Sequence, residues 1–384
     1  MIRPHELLPI LCLTMLSGSV VAQSPIPNFD QFLTCIKSTG QGSICQLEAG
    51  EQYIYQPVVI ERSNITVAGR GMGATILHRN QLYPDSTLKV ASNVTGVTIT
   101  QLEIFGNRDV FPCQGLDTFP IELDAGRGNT IRKVRVTFAP GGGVALLDNS
   151  SIYESEIIHT RNAGLFMMNN TVAESNSIQY SGTAGINVSG AGAKVKGNWL
   201  FKNRIEDDIG GGQIFVERGT SSNEFSENTI DGNDYISDGS PVHGCAVPAG
   251  IRSHGVEGYG SGHKFFNNEV RWHSGHGMYF TDASGIVISG NNPGCPVCAP
   301  KSVHHNQFEG IWFFPIFDWT TTNITLDHVR SQDNGKHGVK LQSVQSGPGF
   351  VNDACLTGNA EGPVWVMGGS VLDNPEPATG TACP

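Results

Sequence analysis

Charge is scarce in this chain: Asp, Glu, Lys and Arg together reach only 15% of 384 residues, and they balance at −11 at pH 7. With no excess of cations, nothing in the composition supports a nucleic-acid or anionic-membrane partner. Long apolar runs are missing as well. The longest, Leu7 to Leu16, is too short for a bilayer span. No Ser-His-Asp set, phosphate loop or metal-ligand spacing stands out. Glycine, by contrast, is abundant at 48 residues. High glycine with uncharged polar residues suits stacked coils joined by many tight turns.

The first residues read as an export signal. Arg3 supplies the charge, Leu7 to Leu16 the apolar core, and Val20-Val21-Ala22 a small-residue cleavage site before Gln23. Residues 1–22 are therefore expected to be removed and the mature protein to be soluble and secreted. Cys12 leaves with the signal, so Cys35, Cys45, Cys113, Cys245, Cys295, Cys298, Cys355 and Cys383 remain. An even count in an exported chain favours disulfides, with Cys35–Cys45 the expected local bridge. The lone Cys295-Pro-Val-Cys298 lacks the second ligand pair that a structural zinc needs. Six N-glycosylation triplets occur, at Asn64, Asn93, Asn149, Asn169, Asn187 and Asn323. Asn-rich turns also generate such triplets by chance.

Asparagine recurs two positions before an apolar residue: Asn176 before Ile178, Asn198 before Leu200, Asn228 before Ile230, Asn268 before Val270, Asn306 before Phe308. Asp327 before Val329 continues the series. The shortest steps between anchors are about 21 residues, as at 136, 157, 178 and 200. Such a period, built of short β-rich pieces, marks a solenoid. Asparagine suits a repeated turn because it tolerates the left-handed region and its amide bonds backbone. The expected fold is all-β: one right-handed parallel β-helix over residues 46–373, with a cap at 23–45 and a tail at 374–384. The five asparagines are expected to share one column.

The opening segment CQLEAGEQYIYQPVVIERSNITVAGRGMGATILHRN resembles the first coils of the pectate-lyase-like right-handed parallel β-helix superfamily. The resemblance covers about residues 45 to 373. It implies a secreted carbohydrate-active protein without specifying the reaction.

Each coil also carries a glycine followed by apolar-x-apolar, as in Gly143-Val-Ala-Leu, Gly185-Ile-Asn-Val, Gly250-Ile-Arg-Ser and Gly277-Met-Tyr-Phe. Alternation turns the middle residue outward. The outward column then reads Glu122, Ala145, Phe166, Asn187, Phe215, Arg252, Tyr279, Trp312, Lys340 and Trp365. One step further, Glu217 and His254 also point out. Insertions at 106–120, 205–212, 231–249 and 282–300, several carrying cysteine, are expected to rise beside this face and form a cleft.

Phe166, Asn187, Phe215, Trp312 and Trp365 are candidate sugar-binding residues. Glu217, Arg252, His254, Tyr279 and Lys340, with Asp207, Asp208 and His276 in the turns before them, are candidate catalytic residues. Uronide lyases of the resembled superfamily neutralise the substrate carboxylate with a cation or Ca²⁺ and remove the C5 proton with a basic side chain. That implies Arg252 for the carboxylate and His254, Tyr279 or Lys340 for proton transfer. Asp207-Asp208 with His276 in Gly-His-Gly resembles polygalacturonase-type hydrolases, although the Asn-Thr-Asp and Arg-Ile-Lys elements are missing. The Asp-Pro-His motif of related alginate epimerases is absent.

The preferred expectation is a monomeric lyase of an acidic polysaccharide. The alternatives are a glycoside hydrolase, a glycan-binding protein without catalysis, and an isomerase or cyclase in the same cleft. A Ca²⁺ requirement, the sugar and the linkage stay open.

Overall fold

Three-residue strands with one inward apolar residue cannot bury anything alone; only stacking does so. In the computed structural model Val136, Ile157, Ile178, Leu200, Ile230, Val270 and Val303 lie in parallel register, one per coil. All seven are at most 3% exposed. The structure describes residues 29–367 except 39, 41, 80–84, 109–117, 125–126, 207–210, 243–246, 248–250, 291–300, 316–321, 343–349 and 353. Within it the chain is a right-handed parallel β-helix. A twelve-stranded parallel sheet runs from Val58–Ile60 to Gly362–Met367, opposite a folded twenty-one-stranded sheet.

Between the sheets aromatic rings continue the stacking. Phe225 lies on Phe265 at 4.7 Å and Phe280 on Phe313 at 5.1 Å. The helix Phe29–Ser38 covers the first coil with Phe32, Cys35 and Ile36, and Cys35 is bonded to Cys45 as expected. Cys355 is disulfide-bonded too. The expected signal segment, the tail, and Cys113, Cys245, Cys295, Cys298 and Cys383 lie outside the described residues.

The asparagine column exists, with one correction. The Asn176 amide nitrogen donates to Asn198 Oδ1 (2.9 Å), Asn198 to Asn228 (3.0 Å) and Asn228 to Asn268 (2.9 Å). Asn306 belongs to a second ladder, with Asn334 and Asn359. Its anchor was misread: Val303, not Phe308, pairs with Val270. The equivalent of Asn268 is therefore Lys301, whose backbone N–H bonds Asn267 Oδ1 and whose ammonium bonds Glu227 O. Likewise Ser331, not Val329, continues this row, opposite Val303.

Two imidazoles are wholly buried in the solenoid wall. His263 donates from Nε2 to Tyr259 O (2.8 Å) and accepts the Asn223 N–H at Nδ1. His273 donates from Nε2 to Ile230 O (3.2 Å). Burial lowers both to a pKa of about 4. Between the ordinary value of about 6.5 and 4, the unfolded chain binds these protons and the folded chain does not. Stability is thus fully present above pH 6.5 and falls as pH drops towards 4, by about 1.4 kcal/mol per pH unit for each imidazole at most. Urea midpoints taken from pH 7 to pH 4 are expected to fall through this window. Replacing both histidines with glutamine should flatten the slope.

Candidate functional site

The outward column of the twelve-stranded sheet is Glu122, Ala145, Phe166, Asn187, Phe215, Glu257, Tyr279, Trp312, Lys340 and Trp365, in register. Arg252 is not in it. The repeat in this coil is Gly255-Val256-Glu257-Gly258, five residues beyond Gly250-Ile251-Arg252-Ser253. Both segments look alike in sequence, but only Gly255 fits. A Cβ there would stand 2.4 Å from Gly277 O on the next coil and 2.2 Å from a Val270 methyl. Arg252 instead lies in the preceding turn, bridged antiparallel to Ile236. His254 falls immediately before Gly255 rather than one step along the strand.

That correction creates a second column. His254, His276, Glu309 and His337 each precede the glycine of successive coils, Gly255, Gly277, Gly310 and Gly338. The rings of His254 and His276 stack at 5.1 Å with 11° between planes. The His276 backbone N–H donates to His254 Nδ1 at 3.0 Å. His254 is thereby fixed as the neutral tautomer with its proton on Nε2. Burial, then the neighbouring His276 and Arg204, hold its pKa well below the ordinary value. It is a hydrogen-bond donor and has no free lone pair to act as a base.

His276 Nδ1 stands 2.9 Å from Glu309 Oε2, though out of line for a good hydrogen bond. Glu309 Oε1 meets Lys340 Nζ at 3.0 Å. Burial alone would raise the Glu309 pKa, but His276 and Lys340 overcome it and bring the carboxyl down to about 2. Burial lowers the His276 pKa, against the pull of Glu309. The Lys340 ammonium lies 4.3 Å from the centre of the Trp312 ring and 4.7 Å from that of Trp365. Tyr279 stacks on His276 (5.6 Å) and tilts against Trp312 (5.1 Å). Burial raises its hydroxyl pKa. The Phe308 ring, 5.2 Å from His276, carries two cations, the Arg252 guanidinium and the Lys336 ammonium, each at 4.9 Å. Arg252 also donates to Ser274 O and Gln307 Oε1.

Towards the N-terminal coils the face changes character. Asn187 Nδ2 donates to Glu217 Oε1 at 2.8 Å, and the Ser189 hydroxyl bonds the other oxygen. Glu257 accepts from Tyr259 Oη (3.1 Å) and from the Gly211 N–H (2.7 Å). Arg218 pairs with Asp282 at 3.2 Å and lies over Tyr259. Phe215 meets Tyr259 edge-on, and Phe166 packs against Phe119. Asp207 and Asp208 lie outside the described residues, as do parts of every expected rim insertion. Residues 282–290, expected as a loop, instead include the end of the strand Met278–Ser284 and the whole of the strand Val287–Ser289.

The sequence matches the family described as a right-handed beta helix region over residues 58–247 and 242–374. The chain belongs to that family. Among solved structures, this β-helix resembles the A-modules of two Azotobacter vinelandii mannuronan C-5 epimerases. The first has TM-score 0.66 and 16% identity, covering 90% of this chain and 94% of the module; the second has TM-score 0.65 and 16% identity, covering 92% and 98%. A GH87 alpha-1,3-glucanase from Streptomyces thermodiastaticus aligns with TM-score 0.58 and 13% identity, over 91% of this chain and 67% of its own. No curated protein sequence matches. At these identities the shared property is the fold.

Four residues of this β-helix escaped the sequence reading: Glu257, Tyr259, Glu309 and Lys336. Glu309 was recoverable. Aligning the coils on their glycines, as in His276-Gly277 and Glu309-Gly310, places it beside His276. Glu257 needed the strand register. Among the described residues no group of three His, Cys, Asp or Glu side chains is placed to hold a metal ion. No Ca²⁺ site is assigned from them. No helix is long and apolar enough to cross a membrane among the described residues.

Proposed function

We propose that the protein is a secreted, monomeric lyase that cleaves an acidic polysaccharide by β-elimination. The observation that carries this reading is the chain Lys340–Glu309–His276 beneath Tyr279 and Trp312, with Arg252 and Lys336 beside it. Coils repeat about every 4.8 Å, close to the length of one sugar, so a polymer laid along the column meets one coil per residue. Trp312, Tyr279 and Trp365 offer rings for the sugars, and Arg252 and Lys336 neutralise the uronate carboxylate. With Glu309 facing Nδ1, His276 keeps Nε2 as the basic nitrogen. It takes the C5 proton. The C5–H pair becomes the C4=C5 double bond, the C4–O4 bond breaks, and the leaving oxygen receives a proton from Tyr279. His254 Nε2–H and Asn187 orient hydroxyl groups.

A second reading, C5 epimerisation, is favoured by the near-complete overlap with the mannuronan C-5 epimerase modules. It begins with the same proton abstraction and ends with protonation on the opposite face of the ring. One experiment separates the readings. Uronide polymers are incubated with the protein in deuterated water, and ultraviolet absorbance, reducing ends and C5 deuterium are followed. A lyase gives absorbing product. An epimerase gives deuterium without chain cleavage, and a hydrolase resting on Asp207 and Asp208 gives reducing ends alone. Retention of glycan with no change leaves a binding protein. A change confined to small molecules leaves an isomerase or cyclase.

The base must be unprotonated. Because the His276 pKa lies below its ordinary value, kcat/KM is expected to hold down through pH 6.5 and decline only below it. Glu309→Gln removes the carboxylate that opposes the shift and should move this acidic limb to still lower pH.

A further inference from the structure

We propose that Asn64, Asn93, Asn149 and Asn323 carry N-linked oligosaccharides and that Asn169 and Asn187 stay bare. The argument rests on one turn of the solenoid. Thr66, Thr98, Thr130, Ser151, Val172, Lys194, Glu224, Lys264, Val287 and Thr325 are paired in register along one row of strands. Two residues before each stands Asn64, Gly96, Gly128, Asn149, Asn170, Gly192, Ser222, Gly262, Gly285 or Asn323. Every one has a positive φ, from 53° to 74°. Glycine and asparagine adopt that region most readily, which explains why nine of the ten positions hold one or the other, Ser222 being the exception.

Where asparagine fills the turn and the first strand residue is Ser or Thr, the glycosylation triplet forms automatically. This happens at Asn64-Ile-Thr66, Asn149-Ser-Ser151 and Asn323-Ile-Thr325. All three asparagines are exposed, and their hydroxyl residues are partly so. Asn93, also exposed with φ 68°, lies three residues before Gly96 in the same turn.

The neighbouring triplet shows the contrast at one-residue resolution. Asn170 occupies the exposed turn position but is followed by Val172, which has no hydroxyl. Asn169 has the hydroxyl of Thr171, yet Thr171 is buried and donates to Met168 O. The Asn169 amide is itself held between coils: Nδ2 donates to Asp148 Oδ1 (2.9 Å) and Oδ1 accepts the Ala191 N–H (2.9 Å). Asn187 and Ser189 both bond Glu217 on the candidate face.

At each acceptor the amide Nδ2 attacks C1 of a lipid-diphosphate-linked oligosaccharide. The N–C1 bond forms, the C1–O bond to phosphate breaks with its electron pair leaving on the lipid diphosphate, and one amide proton passes to base. From Asn64 to Asn149 is three coils and from Asn149 to Asn323 six, about 14 and 29 Å at 4.8 Å each. The glycans would then stand in a row along one edge, leaving the outward column open.

The test is expression of the full chain in a eukaryotic secretory host, with both medium and membrane fractions analysed so that retention does not hide occupancy. Enzymatic glycan removal in heavy-oxygen water leaves a labelled aspartate at each occupied site for peptide mass spectrometry. Label at Asn64, Asn93, Asn149 and Asn323, with none at Asn169 or Asn187, is expected. Bare sites in the first group overturn the proposal, as does label at Asn169 or Asn187 in folded protein from the medium. Asn149→Gly with Asn323→Gly, which keeps the positive φ of both turns, should migrate as a lighter species with a nearly unchanged thermal midpoint.

Discussion

His276→Ala lowers kcat on an acidic glycan by about 10²- to 10⁴-fold, the usual worth of a positioned general base, and lowers the thermal midpoint as well, so the rates are read on protein shown to be folded. His276 is only 7% exposed, and loss of its ring leaves the buried Glu309 carboxylate facing Lys340 alone. Arg252→Ala is expected to act differently. Its guanidinium sits in the turn beside Phe308, so its loss weakens carboxylate binding and raises KM more than it lowers kcat. His254→Gln retains a donor in place of Nε2–H and should keep much of the activity. Single-turnover and steady-state rates on one uronide polymer would separate these effects. A fully active His276→Ala protein would remove His276 from the chemistry and leave Tyr279 as the remaining proton-transfer candidate.

Asn228→Ala is expected to cost about 3–4 kcal/mol, since each buried polar group left unpaired costs roughly 1–3 kcal/mol. Asn228 Oδ1 accepts both the backbone N–H and the amide of Asn198, at 2.9 and 3.0 Å. Its Nδ2 donates to Val195 O and Asn268 Oδ1, both at 2.9 Å. Alanine leaves the buried Asn198 N–H and Val195 O without these partners. Neighbouring rungs depend on the same contacts, so the loss spreads along the ladder. Asn170→Gly is the control. Asn170 is exposed with φ 53°, a conformation glycine adopts freely, and its urea midpoint should barely move. Equal losses in the two variants would show that the ladder bonds contribute little beyond the turn geometry.

The two variants also mark where sequence reading succeeds and stops. Asn176, Asn198, Asn228 and Asn268 were legible as a ladder because each lies a constant two residues before its inward anchor. Asn306 shares that local phrase but belongs to the next turn, since Val303 had already taken the anchor place after the insertion at 291–300. The same ambiguity misplaced Arg252. Two glycine–apolar segments five residues apart, at Gly250 and Gly255, read alike. Backbone hydrogen bonds between coils chose the second.

What the sequence by itself determined is the architecture: the period of about 21 residues, the parallel stacking, the Cys35–Cys45 staple and the outward aromatic strip at Phe166, Tyr279, Trp312 and Trp365. These follow from local rules, alternation and turn stereochemistry, that repeat at every coil. Only the tertiary structure decided which polar residues share a site. His276, Glu309 and Lys340 come from three successive coils, and Glu257 replaced Arg252 at the centre of the face. Inter-coil register depends on how many residues each insertion holds outside the strands, and that number has no local signature. A shift of five residues in one coil exchanges an arginine for a glutamate, and only the hydrogen bonds of the finished stack exclude it.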